Sequence, residues 1–142
     1  MTCSSLSAIP IRIESDEFEN PQEYPNVRSI LIEIQHGLKQ FHQNGHKRII
    51  DLGSIPMPSY ERNKLLQLLG QGEVSIALSS LGESEIYETQ LSAVWVIKHR
   101  DEQGDISAML VEITRIPEIV LSQKDDIDSL TKEIEKLIEQ IE

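Results

Sequence analysis

The sequence predicts one α+β domain over residues 1–142. Two N-terminal helices with a short strand between them are expected to pack on an antiparallel meander of about four strands, and a C-terminal helix follows. Three observations predict this fold. Apolar residues recur at helical spacing in the first half, strand-like runs joined by short turns fill most of the second half, and a heptad-like pattern closes the chain.

The chain divides into three parts. Residues 1–25 are predicted to form a partly mobile, acidic leader. This leader contains a short strand at Ile9–Ile13, which Pro10 confines to the edge of a sheet because proline cannot donate a backbone hydrogen bond. Residues 26–121 form the predicted core, and residues 122–142 form the closing helix.

The first half of the core contains two helices. Apolar spacing predicts a helix over Val27–Asn44, with Asn26 as its N-cap and Gly45 as the residue that ends it. The β-branched stretch Lys47–Leu52 is predicted to be the short strand. A second helix is expected over Ser59–Leu69, with Ser59 as its N-cap. Its leucines are all expected to be buried: Leu65, Leu66, Leu68 and Leu69.

Two glycines carry the chain from this second helix into the sheet. Gly70 is placed where a helix ends in a left-handed backbone conformation, which glycine adopts without a Cβ penalty. Gly72 is expected to keep the turn tight, so that a period-two pattern begins at Val74.

The second half of the core reads as four antiparallel strands. The runs are separated by turn signals, of which Leu81-Gly82-Glu83 favours a hairpin and Asp101–Asp105 a longer one. The predicted strands are Glu73–Ser80, Ser84–Leu91, Ser92–Arg100 and Ile106–Arg115.

The closing helix is predicted to begin at Asp125. Its apolar residues are spaced alternately three and four apart, which is an a/d seam of about two heptads and too short to be called a coiled coil. They are Ile127, Leu130, Ile134, Leu137 and Ile141. Three arrangements are compatible with such a helix: packing on the sheet of its own chain, pairing with a second copy as a homodimer, or docking on a partner.

Composition narrows the class of partner. Thirteen basic and twenty-four acidic residues give a formal net charge of −11, which disfavours nucleic acid and anionic membranes. Cys3 is the only cysteine, so neither an internal disulfide nor a cysteine-based metal site is expected. With no signal peptide and no apolar run long enough to span a membrane, a cytoplasmic location is expected.

Motifs of enzyme chemistry are sparse. His42 and His46 have a helical metal-ligand spacing, but Gly45 is predicted to end the helix between them, so no metal or cofactor is expected. No phosphate-binding loop or nucleophile elbow occurs. The carboxylates that could serve an enzyme as general acid or base are those in predicted strands: Glu73, Glu88 and Glu112. A small carboxylate-dependent enzyme is therefore one alternative.

The only tryptophan is Trp95, in the apolar run Ala93–Ile97. In such a run the indole is expected to belong to the core, whereas an exposed tryptophan would be a hot spot for binding a protein. Considered from its residues alone, the chain is a binding or assembly module rather than an enzyme.

Several short motifs follow one another over roughly Pro10–Leu121, and the passage from helix to strand at Leu68–Ser75 is the most specific. The others are Ile50-Asp51-Leu52, Ile55-Pro56-Met57, Glu88-Thr89, Val94-Trp95-Val96, Val111-Glu112-Ile113 and Ile116–Ile119. In this order they resemble the hydrogenase expression/formation family of HupH/HyaF type, specifically its C-terminal domain. Gln71 and Ala93 depart from the pattern, because family members usually carry Glu and Gly there. The closing helix is not expected to belong to the family core.

The resemblance implies a non-catalytic, chaperone-like accessory protein for the maturation of nickel–iron hydrogenase. The implied partners are the precursor of the small, iron–sulfur subunit and other hydrogenase accessory proteins. The predicted partner-binding face is the surface around Gly70, Gly72, Glu73, Glu88 and Trp95, where the unusual residues of the sequence gather.

Overall fold

A computed structural model of the chain describes residues 23–79 and 82–142. The predicted leader up to residue 22, with its strand at Ile9–Ile13, and Leu81 of the first hairpin lie outside the described residues. In chain order the helices and strands are α1 (Pro25–Asn44), β1 (Arg48–Asp51), α2 (Ser59–Leu69), β2 (Ser75–Ser79), β3 (Glu83–Glu88), β4 (Val94–Arg100), β5 (Ile106–Ile113) and α3 (Lys124–Glu139). The predicted α+β class is confirmed.

The described strands form one antiparallel sheet of five strands in the order β1-β5-β4-β3-β2. Strands β2 to β5 are the predicted meander. Strand β1, expected only as a short strand between the helices, extends the sheet as its fifth strand and pairs with β5 from Arg48↔Ile113 to Asp51↔Leu110. This pairing satisfies backbone groups of β1 that could not otherwise be buried beside the core.

The two faces of the sheet carry different apolar clusters, since successive residues of a strand point to opposite sides. One face packs against α1 and α2 and forms the main core. Its buried members include Val27, Ile30, Ile34, Ile50, Leu65, Leu69, Val94, Val96, Val111 and Ile113. The opposite face carries a smaller cluster of Ile86, Trp95 and Ile97, against which Val120 and other partly buried residues pack.

Helix α1 ends as predicted but begins differently. Gly45 has φ of 74° and donates its backbone N–H to the carbonyl of Phe41 at 2.9 Å. At the other end Pro25 is the first helical residue, which suits proline because its missing N–H is not needed there. Asn26 is therefore not the N-cap. It lies inside the first turn, where its backbone N–H donates to Glu61 at 3.1 Å.

Other boundaries also move by one to three residues. Ser59 is the first residue of α2 rather than its N-cap, and Pro58 occupies the cap position. Strand β2 begins at Ser75, because the backbone of residues 70–74 is used to cross from α2 to the sheet. Strand β3 ends at Glu88, since the residues up to Ala93 form the turn to β4.

Helix α3 buries none of its residues. Its apolar residues are about half exposed, with values of 51% for Ile127, 53% for Leu130 and Ile134, and 55% for Leu137. The predicted helix is confirmed, whereas packing of its apolar stripe on the sheet is not observed. Pairing of this stripe with a second copy or a partner stays a prediction.

Candidate partner-binding site

Most of the predicted site residues meet at one corner of the sheet, where the chain leaves α2 and β3 turns into β4. We call residues 70–74 and 88–93 the glycine corner. Its two segments are joined by backbone hydrogen bonds: Gly72 N–H donates to the Glu88 carbonyl at 2.7 Å, Glu88 N–H to the Val74 carbonyl at 2.9 Å, and Gln90 N–H to the Leu69 carbonyl at 3.0 Å. The corner is thus part of the folded framework.

The two glycines are needed for different reasons. Gly70 has φ of 68°, a left-handed conformation that side chains other than glycine rarely adopt. Gly72 is required by space, because a Cβ atom built on it would lie 2.6 Å from the backbone carbonyl oxygen of Thr89. Any larger residue at Gly72 must therefore push the two segments of the corner apart.

The turn from β3 to β4 is held by Thr89, which is 2% exposed. Its hydroxyl lies 2.9 Å from the Val94 carbonyl, to which it donates, and accepts the Leu91 N–H at 3.1 Å. Ala93 closes the turn with φ of 71°, and it is the non-glycine residue with positive φ in the described part of the chain. The glycine that family members usually carry here would adopt this conformation without strain.

Glu73 and Glu88 are brought together at the corner. The backbone of Glu88 bonds to Gly72 and Val74, the two neighbours of Glu73. The Glu73 side chain is exposed, whereas Glu88 is half-buried and accepts the Ala93 N–H at 3.4 Å. The Glu73 carboxylate is thus accessible to a partner, whereas the Glu88 carboxylate points partly toward the backbone of the turn from β3 to β4.

Trp95 is the strand partner of Glu88, but its side chain is not part of the surface. It is 3% exposed, and its indole N–H donates to the Thr114 carbonyl at 3.1 Å. Of the two roles open to this tryptophan, the structure places it in the core. Its indole packs with Ile86 and Ile97 in the smaller cluster, on the face of the sheet opposite α1 and α2.

The third carboxylate, Glu112, lies apart from the other two. It pairs with Trp95 from the far side, so that the width of β4 separates it from Glu88. Burial raises the pKa of Glu112, although the Glu118 backbone N–H and the nearby Lys47 act in the opposite direction. The carboxyl with a perturbed pKa is therefore not at the glycine corner, and a catalytic pair with Glu88 is not formed.

Exposed apolar side chains lie in the corner and beside it. Leu68 is 53% exposed, Leu91 46% and Val74 41%. Leu68 was expected in the core, and this expectation is wrong. At about 100° per residue the four leucines span about 160° of the helix, with Leu66 and Leu68 at the two edges of this arc. The two central leucines, Leu65 and Leu69, are buried, whereas Leu68 at one edge is exposed. Leu91 carried no such signal, because its position depends on the turn.

A separate concavity of about 570 Å³ opens at the end of α1. Its lining includes Phe41, Lys47, Arg115, Ile116 and Leu121, and none of the predicted site residues.

The described residues contain no cluster of three or more His, Cys, Asp or Glu that could hold a metal ion. No helix within 23–79 or 82–142 is both long and apolar enough to cross a membrane.

The geometry is thus that of an α+β domain, an antiparallel sheet covered by helices on one face, with a hydrogen-bonded corner at which Leu68, Leu91 and Glu73 are exposed. The profile described as "HupH hydrogenase expression protein, C-terminal conserved region" matches residues 25–141, so the chain belongs to this family. The matched residues include α3.

Individual relatives agree with this assignment. Hydrogenase expression/formation protein HupQ of Azotobacter chroococcum mcd 1 is 23% identical over 86% of this chain and 44% of its own length. Hydrogenase-1 operon protein HyaF of Escherichia coli K12 is 33% identical over 55% of this chain and 27% of its own. The chain therefore spans less than half of these relatives.

A solved structure shares the fold. The hydrogenase expression protein HupH from Thiobacillus denitrificans is 30% identical, with a TM-score of 0.77. The superposition covers 81% of this chain and 96% of that one.

Proposed function

We propose that this chain is a non-catalytic accessory protein in the maturation of nickel–iron hydrogenase, and that it binds the precursor of the small, iron–sulfur subunit. Family membership supports the link to hydrogenase formation. The glycine corner supports a binding role, because exposed apolar side chains and the Glu73 carboxylate lie together there.

The observation that carries the proposal is the contrast between a fixed backbone and an exposed rim at this corner. Gly72 and Glu88 are tied at 2.7 Å, while Leu68 and Leu91 remain about half exposed. A partner that covers such a rim gains apolar burial with little loss of conformational entropy in this chain. Glu73 adds a carboxylate at the edge of the rim, where it can select basic groups on the partner.

Within this proposal the five predicted residues have two kinds of role. Glu73, with the exposed part of Glu88, contacts the partner directly. Gly70, Gly72 and Trp95 shape the surface from below, and their replacement acts on binding through the fold.

The test is a binding titration of the purified chain against the hydrogenase small-subunit precursor of the same host. Glu73→Ala combined with Glu88→Ala is expected to raise the dissociation constant by about tenfold, or 1.4 kcal/mol. The matched control replaces two exposed glutamates elsewhere, Glu33 in α1 and Glu102 in the turn between β4 and β5, by alanine. Circular dichroism verifies that both double variants are folded.

Two outcomes contradict the proposal. Undiminished capture by the Glu73/Glu88 variant would remove the corner as the binding face while leaving the accessory role intact. If the wild-type chain captures neither the precursor nor another hydrogenase accessory protein, the function itself is refuted.

A further inference from the structure

We infer that the chain forms a two-fold dimer in which α3 of each copy lies in the groove of the other copy. We call the concavity lined by Phe41, Lys47, Arg115, Ile116 and Leu121 the Lys47–Arg115 groove. The inference stands on α3 and this groove alone and is independent of the proposed hydrogenase partner.

The first step is that α3 carries an unpaired apolar stripe. Its large apolar residues are between 48% and 55% exposed, and they fall on one side of the helix. They are Ile127, Leu130, Ile134, Leu137 and Ile138. Ile141 follows the last helical residue, Glu139, and is 87% exposed. A stripe of this length exposed to water is typical of a helix that packs against another surface.

The second step is that the same chain presents an apolar groove bordered by positively charged side chains. Ile116 is 40% exposed and Leu121 is 45% exposed on its wall, and Lys47 and Arg115 are exposed beside them. Two cations in one groove are notable in a chain with a net charge of −11. Glu112 interacts with Lys47 and with Glu118, so these acids reduce the positive charge at the Lys47 side of the groove.

The third step is that α3 supplies the complementary charge. Residues 124–142 contain seven acids and three lysines. Asp126 precedes Leu130 by four residues, and Glu133 precedes Leu137 by four, so both carboxylates border the apolar stripe. Opposite signs at the rim favour docking in one register and speed association.

A second copy is the occupant that the geometry favours. Leu121 lines the groove and α3 begins three residues later, at Lys124. Each helix therefore starts beside its own groove, and a two-fold axis allows both helices to cross into the opposite grooves at once. Glu133 contacts Lys136 of its own helix at 3.6 Å, an exposed pair that leaves the carboxylate accessible. Pairing of α3 with α3 is less favoured, because it would bring the seam-bordering acids of the two copies together, whereas the groove offers them Lys47 and Arg115.

The test is the molar mass of the full chain in solution, measured by light scattering over a range of concentrations. The groove variant combines Lys47→Glu with Arg115→Glu, and the helix variant combines Asp126→Lys with Glu133→Lys. Each is expected to weaken the dimer by at least about tenfold. An equimolar mixture should restore it, because each groove then meets a helix of opposite charge. A control combines Asp125→Lys with Glu139→Lys, which makes the same change in net charge on the far side of α3 and should leave the dimer intact.

The outcomes are separable. A wild-type chain that is monomeric at every concentration would overturn the inference. The apolar stripe of α3 would then pack on its own chain or bind a different protein. A groove variant that dimerises like the wild type would overturn it in favour of pairing between the two α3 helices. Circular dichroism of all three double variants ensures that loss of the dimer does not reflect unfolding, and Arg115→Glu alone serves if the groove variant does not fold.

Discussion

Glu61 of α2 accepts two hydrogen bonds from Asn26 of α1, thirty-five residues away in the chain. The backbone N–H of Asn26 lies 3.1 Å from one carboxylate oxygen, and its side-chain amide lies 2.5 Å from the other. Glu61 is 1% exposed. This carboxylate therefore does for the first turn of α1 what a cap residue usually does, and it joins the two helices at the same point.

Glu61→Ala is expected to lower the free energy of unfolding by about 2 kcal/mol, because two partly buried donors of Asn26 lose their acceptor. Urea denaturation followed by circular dichroism measures the change. Glu33→Ala, an exposed position on α1, is the control and should change the free energy of unfolding by no more than about 0.5 kcal/mol. Equal effects of the two substitutions would contradict a joining role for Glu61.

Gly72→Ala is expected to lower the free energy of unfolding by about 1–3 kcal/mol, since the new Cβ must displace the Thr89 backbone. Gly53→Ala is the matched control. There the nearest atom to a Cβ is a side-chain oxygen of Asp51 at 3.2 Å, which can move aside. Thermal melting of both variants tests this prediction, and a Gly72→Ala protein as stable as Gly53→Ala would show that the corner is not tightly packed.

Ala93→Gly is expected to raise the free energy of unfolding by about 0.5–1 kcal/mol. The left-handed conformation costs alanine about 1–2 kcal/mol, which exceeds the entropy of about 0.4–1 kcal/mol that glycine adds to the unfolded chain. Ala108→Gly in β5 provides the opposite case and should be destabilising, because glycine weakens a strand. Chemical denaturation of both variants is the measurement, and a loss of stability with Ala93→Gly would refute the strain at this turn.

Glu112 predicts a dependence of stability on pH. Its pKa is raised above 4.5 by burial, so the folded protein keeps this proton to a higher pH than the unfolded chain does. The contribution of Glu112 to the free energy of unfolding therefore falls as the pH rises from 4.5 through the raised pKa. Glu112→Gln replaces the carboxyl by an amide that does not titrate. The free energy of unfolding of this variant, relative to that of the wild type, should therefore increase over that pH interval and then become constant.

The measurement is urea denaturation of wild type and Glu112→Gln across this pH range. Glu102→Gln, at an exposed turn position, is the control, and its difference from the wild type should not follow the same rise. A pH-independent difference for Glu112→Gln would indicate that the carboxyl titrates alike in the folded and unfolded chains.

Local signals explain what could be predicted from the sequence. Gly45 and Gly70 end their helices because a left-handed residue is readily supplied by glycine, and this requirement is visible in a few neighbouring residues. The meander followed equally well from period-two patterns and turn residues. Gly70, Gly72, Glu73 and Glu88 lie together in the structure because three of them are close in the chain and the fourth is joined to them by backbone hydrogen bonds. Their role in binding stays a prediction.

Long-range packing explains what could not be predicted. The start of α1 was misplaced because its first turn is stabilised by Glu61, and no local pattern connects Asn26 to that residue. The pairing of β1 with β5 is of the same kind. Trp95 was compatible with either core or contact, and only the strand order, which places it between Glu88 and Glu112, decides that its indole is covered.

The buried Trp95 indole also gives the chain an intrinsic fluorescent probe. Trp95 is the only tryptophan in the sequence, it is 3% exposed, and it is the strand partner of Glu88 in the corner. The intrinsic tryptophan fluorescence of the chain therefore comes from this one side chain. Its emission wavelength reports whether water reaches the indole. Binding to the rim and loss of the fold can consequently be told apart in an unlabelled sample, by a change of intensity in the first case and a shift to longer wavelength in the second.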